Sequence, residues 1–521
     1  MARIYSLIFL LPILLSACAE VGTISGGPED EIAPRPIVDK MAPANGSVNF
    51  TGNAVEIPFD EFIGLNEPNI NIRIVPPHAT INSRLKGKTL FLDWTDTLQP
   101  NTTYAIYLNN AVRDITENND SIIQYVFSTG PTLDTLNHQI AVSEAWSGKA
   151  VPSCTVALFD PENGQLQSFA EANNQGIATL NYLRPGTYTL LAFEDENNDL
   201  ALQEHERLAF PVSSLLTIGE VPFFDSIPLR MYVPLQAPEI RTVKAEFPGV
   251  LILGATQGLE GAEVLVNGVV QDAAHMKWLG PDSLMTFIDV HGETIPEIVV
   301  NSSMLHDTLR VRTMKNDRLK SVNFRNAITG GKCSPLDSAT LLFNDFILGV
   351  DTSKMSVLLA SDSSRVAYTV SHQFNELTFS FPDRMALEAV QVILLAGAVS
   401  TTHGSNIRMQ TAFNFPSVKK YGTIVVNTSS YVEPILLLVQ QGEKTVRAMF
   451  IPESSSATRL EFLEPGDYSF KVIRDSNGNG RWDVGNYAER VQPETVDFYS
   501  EPTKVRANWE LEFSLIPLDA P

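Results

Sequence analysis

Leu180-Asn-Tyr-Leu183-Arg-Pro185-Gly186-Thr-Tyr188 runs into Phe193-Glu-Asp195-Glu-Asn197-Asn-Asp199, and 280 positions later the chain repeats itself. The second copy is Leu460-Glu-Phe-Leu463-Glu-Pro465-Gly466-Asp-Tyr468, running into Ile473-Arg-Asp475-Ser-Asn477-Gly-Asn479. The register holds without a gap, so one module is used twice. Each copy reads as a β-rich run, a Pro-Gly turn, a strand and a polar loop. Short β-rich runs with turn signals between them extend outward from both copies. They include Val55-Glu-Ile57-Pro-Phe59, Thr89-Leu90-Phe91-Leu92, Thr103-Tyr104-Ala-Ile106-Tyr107-Leu108, Val250-Leu-Ile-Leu253 and Glu297-Ile-Val-Val300. Helical periodicity is poor, and 32 prolines work against long helices. The reading is an all-β chain of antiparallel sandwiches, roughly 100 residues each.

The boundaries follow from the turn-rich breaks. Residues 1–17 are a targeting segment and 18–36 a tether rich in Gly and Pro. Residues 37–132 form a first sandwich and 133–236 a sandwich carrying the first polar loop. Residues 237–322 form a middle β domain, 323–417 a sandwich related to the first, and 418–521 the second copy of the looped module. The targeting segment has Arg3 ahead of an apolar run, Ile4 to Leu15, too short for a stable span. It ends Leu15-Ser16-Ala17 before Cys18, which resembles the lipobox of bacterial lipoproteins. That resemblance implies cleavage before Cys18 and a diacylglycerol on its thiol. Ala19 in place of Asp implies the outer membrane, with the face undetermined. Cys154 and Cys333 fall in different domains, so both a bridge and two buried thiols stay open.

Phe59-Asp60-Glu61-Phe62-Ile63, then Leu98-Gln99-Pro100-Asn101-Thr102-Thr103-Tyr104 and a closing Phe127, resemble the bacterial Ig-like domain of the S-layer type. With the lipobox and Gly26-Gly27-Pro28, the chain is similar to Ig-like-domain lipoproteins of the Bacteroidota. Phe343-Asn344-Asp345-Phe346-Ile347 returns the first motif without the second, as a divergent copy. Arg184-Pro185-Gly186-Thr-Tyr188 resembles the turn and strand of transthyretin-like, carboxypeptidase-regulatory sandwiches. The resulting expectation is tandem Ig-like and transthyretin-like β sandwiches.

The chemistry concentrates in the two polar loops. Asp475, Asn477, Asn479 and Asp483 stand at positions 1, 3, 5 and 9, with Gly480 at position 6. Alternate oxygen side chains turned inward around a glycine bend can wrap a hard cation such as Ca2+. Position 12 is Asn486, and Glu489 lies three residues beyond. The first copy has Asp195, Asn197 and Asp199, with Leu200 in the glycine position and Glu206 at position 12. The competing reading is a pair of Asx-rich hairpins that satisfy their own backbone. Either way the role expected of an ion is structural.

Other chemistry finds little support. The eight histidines, from His78 to His403, are scattered, with no HExxH and no nucleophile motif. The expectation is therefore no catalytic residues and no enzyme activity. With 37 Lys and Arg against 60 Asp and Glu, the net charge is −23, which argues against nucleic acid as a partner. Trp482, Tyr487 and Trp509 stay open between an exposed binding platform and core anchors. Triplets such as Asp96-Thr97-Leu98, Asp134-Thr135-Leu136, Asp225-Ser226-Ile227 and Asp307-Thr308-Leu309 resemble the O-glycosylation pattern of exported Bacteroidota proteins, or simply start turns. The functional expectation is a lipid-anchored outer-membrane scaffold that binds envelope proteins, an outer-membrane barrel among the candidates. The alternative is a surface adhesin or glycan-binding lipoprotein.

Overall fold

A computed structural model describes residues 32–77, 80–115, 120–213, 215–219, 226–288, 295–311, 321–453, 455 and 457–518. Cys18, the lipobox, most of the tether, His78, His291 and Asp225 lie outside them. The chain is all-β, as its strand periodicity predicts. The described residues hold one α-helical turn, Pro68–Asn71, and a few 3-10 turns between strands. None of their helices is long and apolar enough to cross a membrane.

The N-terminal sandwich packs two sheets. One has the order Ala54–Pro58, Thr89–Asp93, Asn82–Lys86; the other centres on Thr103–Asp114, flanked by Ile63–Leu65, Ile72–Val75 and Asp120–Ser128. Strict alternation in Ala54–Pro58 sends Val55 and Ile57 into the core. Trp94, Tyr104 and Phe127 fill its centre, with Trp94 stacked on Phe127 at 5.9 Å. Thr103–Asp114 is not alternating, because both of its faces are covered. Tyr104, Ile106 and Leu108 face their own core, while Ala105 and Tyr107 pack on the next unit. Residues 323–417 repeat this strand order. Glu376–Ser380 lies between Ala339–Phe343 and Thr369–Gln373, and Ala389–Leu394 lies between Met355–Leu359 and Met409–Asn414.

The two looped modules share a topology. In each, the first strand (Leu136–Glu144 or Gly422–Asn427) sits between an antiparallel partner and the last strand. That last strand, Ile227–Met231 or Glu510–Ser514, runs parallel to it. The opposing sheets run Leu166–Glu171, Thr155–Phe159, Gly186–Phe193 and Lys444–Ile451, Ile435–Gln441, Gly466–Arg474. Local detail repeats as well. Tyr182 and Phe462 both adopt positive φ, 56° and 59°. Tyr188 and Tyr468 each donate a hydroxyl hydrogen bond four residues back, to the carbonyls of Arg184 and Glu464. The middle unit, from Ile240–Phe247 to His306–Arg310, is two four-stranded sheets around Leu253, Val264 and Ile298.

The units are joined by packed surfaces. Tyr107 meets Phe169 at 4.3 Å between the first two. Phe287 stacks on Phe346 at 3.9 Å between the middle unit and its successor. Cys154 and Cys333 are free and buried in separate cores. Burial pushes their thiols up to about 12 and about 11. Iodoacetamide at pH ~8 should therefore leave both unlabelled in the native chain and label both in guanidinium. Peptide mapping would read the result, and rapid native labelling of either would contradict their burial.

Candidate functional site

Each acidic loop leaves the end of a central strand, Gly186–Phe193 or Gly466–Arg474, and closes on itself. In the second loop Asp475 is fully buried. Its carboxylate accepts from the backbone N–H of Asn479 (3.1 Å) and of Gly480 (2.6 Å). The Asn477 side-chain oxygen accepts from Asn479 N–H, and the Asn479 side chain donates to Asp483 at 2.8 Å. Asp195 makes the matching pair in the first loop, accepting from Asp199 N–H (3.0 Å) and Leu200 N–H (2.9 Å). Leu200 adopts φ 61° where Gly480 adopts 75°. The loop therefore keeps its bend without the glycine, at a conformational cost of ~1 kcal/mol.

The two loops differ in the carboxylate that closes them. Glu206 is buried and accepts from Glu196 N–H (3.2 Å) and Gln203 N–H (2.9 Å). In the second loop Asn486 and Glu489 are not the counterpart. Asn486 caps its own turn by accepting from Glu489 N–H, and Glu489 is exposed. Glu494 takes the role, accepting from Ser476 N–H (2.9 Å) and Asp483 N–H (3.1 Å). These donors are offset from Asp475 as Glu196 and Gln203 are from Asp195. Sequence spacing missed Glu494 because the longer hairpin between Asp483 and Glu494 moves it out of loop register. A search of the downstream residues for the repeat's buried carboxylate would have found it.

The electrostatics are those of crowded carboxylates. Glu494 is held above its ordinary 4.5, chiefly by burial, with Asp483 and Asp475 adding repulsion against the pull of two backbone amides. Asp195 is raised above 3.8 by burial, with Asp199 and Glu206 adding to it. A carboxyl raised in the fold contributes stability below its unfolded pKa, and that contribution is lost as pH rises through the folded value. Going from about pH 5 to 7.5 under chelation should thus lower the urea midpoint of the wild type more than that of Glu494→Gln. Equal shifts would contradict the assignment.

The donor set of the second loop is all oxygen: Asp475, Asp483 and Glu494 carboxylates with Asn477 and Asn479 amides. This suits a hard cation and not zinc or copper. As the side chains stand, no group of three or more His, Cys, Asp and Glu among the described residues is arranged to hold a metal. The carboxylates are engaged by the loops' own amides, the arrangement expected of Asx-rich hairpins.

Both loops lie at junctions between units. Arg73 of the first sandwich donates to the Asn198 carbonyl at 3.0 Å. Arg481 pairs with Glu260 of the middle unit at 3.0 Å. Trp482 lies on Trp146 of the first looped module, ring centroids 5.1 Å apart. Lys471 donates to the Trp146 carbonyl at 2.9 Å with its ammonium 4.3 Å over the ring. Tyr487 packs edge-on against Phe210 at 5.3 Å. Neither is an open platform: Trp482 packs on Leu438, Ile473 and Val496 of its own module as well as on Trp146, and Tyr487 packs on the other repeat, so the two fasten one repeat to the other. Trp509 is 54 % exposed, with Arg506 over its ring at 4.8 Å.

Residues 30–129 match the bacterial Ig-like domain. The match spans the first sandwich. No curated protein matches the chain in sequence. Among solved structures, the chain is similar to a Bacillus anthracis protein termed TIE, at 9% identity over 95% of this chain and 76% of that one, TM-score 0.15. A Bacteroides ovatus glucan-utilization protein, SGBP-B, solved with a mixed-linkage heptasaccharide, aligns at 13% identity over 72% and 95%, TM-score 0.19. The S-layer protein rSbsC aligns at 10% identity over 79% and 67%, TM-score 0.17. At these scores the likenesses carry no functional argument.

Proposed function

We propose that this Ig-like-domain protein is a non-enzymatic scaffold of the cell envelope, held at the outer membrane by a lipid on Cys18. The observation that carries the reading is the position of the two acidic loops. Each sits where units meet, so the order of the loop sets the angle between rigid sandwiches. Calcium is the proposed structural ion, held by Asp475, Asn477, Asn479, Asp483 and Glu494 in one loop and Asp195, Asn197, Asp199 and Glu206 in the other. Its charge would relieve the carboxylate repulsion that raises Glu494 and Asp195. The proposed partners are envelope proteins, an outer-membrane barrel among them. The half-exposed Trp509 supports the second reading, an adhesin or glycan binder.

The test is a pull-down from gently solubilised native outer membranes, using a C-terminal tag, with and without chelator. A stoichiometric membrane partner lost on chelation supports the scaffold. Recovery of the protein alone removes that support and shifts the weight to glycan binding, to be read on glycan arrays. Intact mass from the native host reports the Cys18 lipid and the Asp-Ser/Thr glycans together; a bare chain would overturn both.

A further inference from the structure

We propose that two sheet faces left open in the second half of the chain bind each other between copies of this protein, an inference that goes beyond the scaffold reading and needs neither the lipid nor the ion. The chain carries its own template for the contact. Val75, Ala105, Tyr107 and Val126 lie on the outer sheet of the first sandwich, and Phe169 on the edge strand of the first looped module. None of them is more than 8% exposed. They bury one another where the two units dock, with Tyr107 on Phe169.

Strand register locates the same positions in residues 323–521. Tyr104 pairs with Phe127 as Val390 pairs with Phe413. Leu358, Gln391, Ile393 and Ala412 are thereby the counterparts of Val75, Ala105, Tyr107 and Val126. Phe169 and Leu191 flank Ala157 as Ala448 and Lys471 flank Leu438, so Ala448 stands for Phe169 and Phe450 for Glu171. The step from Phe127 to Leu136, where the first module begins, equals that from Phe413 to Gly422, where the second begins. Yet none of the five second-half counterparts is buried. Ala412 and Ala448 are exposed, Leu358, Gln391 and Ile393 are part-buried, and Phe450 beside them is 40% exposed.

The composition of these faces suits docking. Charged residues make up 19% of the chain, but Met355–Leu359, Ala389–Leu394 and Met409–Asn414 contain none. Loss of charge marks the centre of an interface. Lys444–Ile451, which carries Ala448 and Phe450, lies at the edge of its sheet beside Ile435–Gln441. The first module covers Lys471 and Phe498 of this sheet with Trp146 and Gly148, and leaves Ala448 and Phe450 exposed.

The template also names the occupant, because an outer sheet of the first kind docks on an edge strand of the second kind, and every copy holds one open face of each. Within one chain these two faces are held apart. Phe346 stacks the unit 323–417 on the middle unit, and Lys277 pairs with Glu376 across the same joint. The middle unit in turn holds the C-terminal module through Glu260 and Arg481. Closing the second pair inside one chain must undo one of these joints. Closing it between two copies breaks neither, so the partner is a second copy. Reciprocal docking gives a closed pair, and successive docking gives a row of molecules.

The experiment begins with sedimentation velocity of the full-length chain in detergent over about 1–100 μM. The expected result is association of the wild type that grows with concentration. Ile393→Glu should weaken it at least about tenfold, since a charge buried there has no partner. Adding Ala448→Lys to that variant should restore most of it, because the two side chains meet across the interface. Both positions are at the surface of the single chain, so neither substitution should move its thermal midpoint. The second readout uses Ile393→Cys with Ala448→Cys. This chain is mixed with a heavy-nitrogen-labelled form of itself, treated with a short bismaleimide and mapped by mass spectrometry. Links between copies join light peptides to heavy ones, and links within a chain do not. The expected result is light–heavy pairs joining 393 to 448. A monomer at every concentration, association unaffected by Ile393→Glu, or links confined to single chains would each overturn the proposal.

Discussion

Asp475→Ala will collapse the second acidic loop and destabilise the C-terminal module by about 2–4 kcal/mol. The side chain is fully buried and accepts the backbone N–H groups of Asn479 and Gly480. Alanine leaves both donors without their acceptor in a place water enters poorly, and a void where the carboxylate stood. Hydrogen bonds to a charged acceptor are worth roughly twice neutral ones, which puts the cost above that of an ordinary surface loop change. Asp195→Ala removes the same pair of bonds in the first loop but should cost less, because Asp195 is only part-buried and water can replace it. Guanidinium unfolding of the two variants under chelation, with proteolysis between Asp475 and Glu494 as a local readout, checks the order. Equal midpoints for wild type and Asp475→Ala would remove the loop's proposed structural role.

Trp482→Ala should loosen the two looped modules from each other, at about 2–3 kcal/mol of interface stability. The indole ring lies on Trp146, and its N–H donates to the Glu494 carbonyl at 3.1 Å. One side chain thus ties the loop's own carboxylate segment to the neighbouring repeat. Truncation exposes Trp146, the buried Lys471 ammonium over it, and the Phe498 ring that Lys471 also approaches. Burial already holds the Lys471 pKa below its ordinary value, so part of its desolvation cost is recovered when the contact opens. The signature is a larger radius of gyration by small-angle scattering with the individual sandwiches still folded. Trp482→Phe, which keeps most of the ring and loses only the N–H, should give a smaller change. An unaltered scattering profile for Trp482→Ala would show that the repeats are held elsewhere.

Much of the architecture is legible along the chain. Alternation in Val55-Glu-Ile57 and the Pro-Gly turns at 185–186 and 465–466 are local signals, and a local signal survives without knowledge of the rest. The oxygen-rich spacing from Asp195 and Asp475 is of the same kind. The buried glutamate is legible in one loop only. Glu206 lies within the loop's own span, whereas Glu494 reaches Asp475 across a hairpin whose length spacing rules do not specify.

Whether the loops carry an isolated ion or brace a junction is not a local property. The continuous run Tyr104-Ala-Ile106-Tyr107 reads as one strand from sequence, but that Tyr107 meets Phe169 follows only from docking two sandwiches. Trp482 and Tyr487 leave platform and core both open along the chain, because an aromatic looks the same in either setting until its partner is placed. Strand period, turn chemistry and repeat are set by neighbours along the chain and were determined by the sequence alone. The junctions depend on surfaces brought together across up to hundreds of residues and the second glutamate on a hairpin of unspecified length, and the tertiary structure alone decided them.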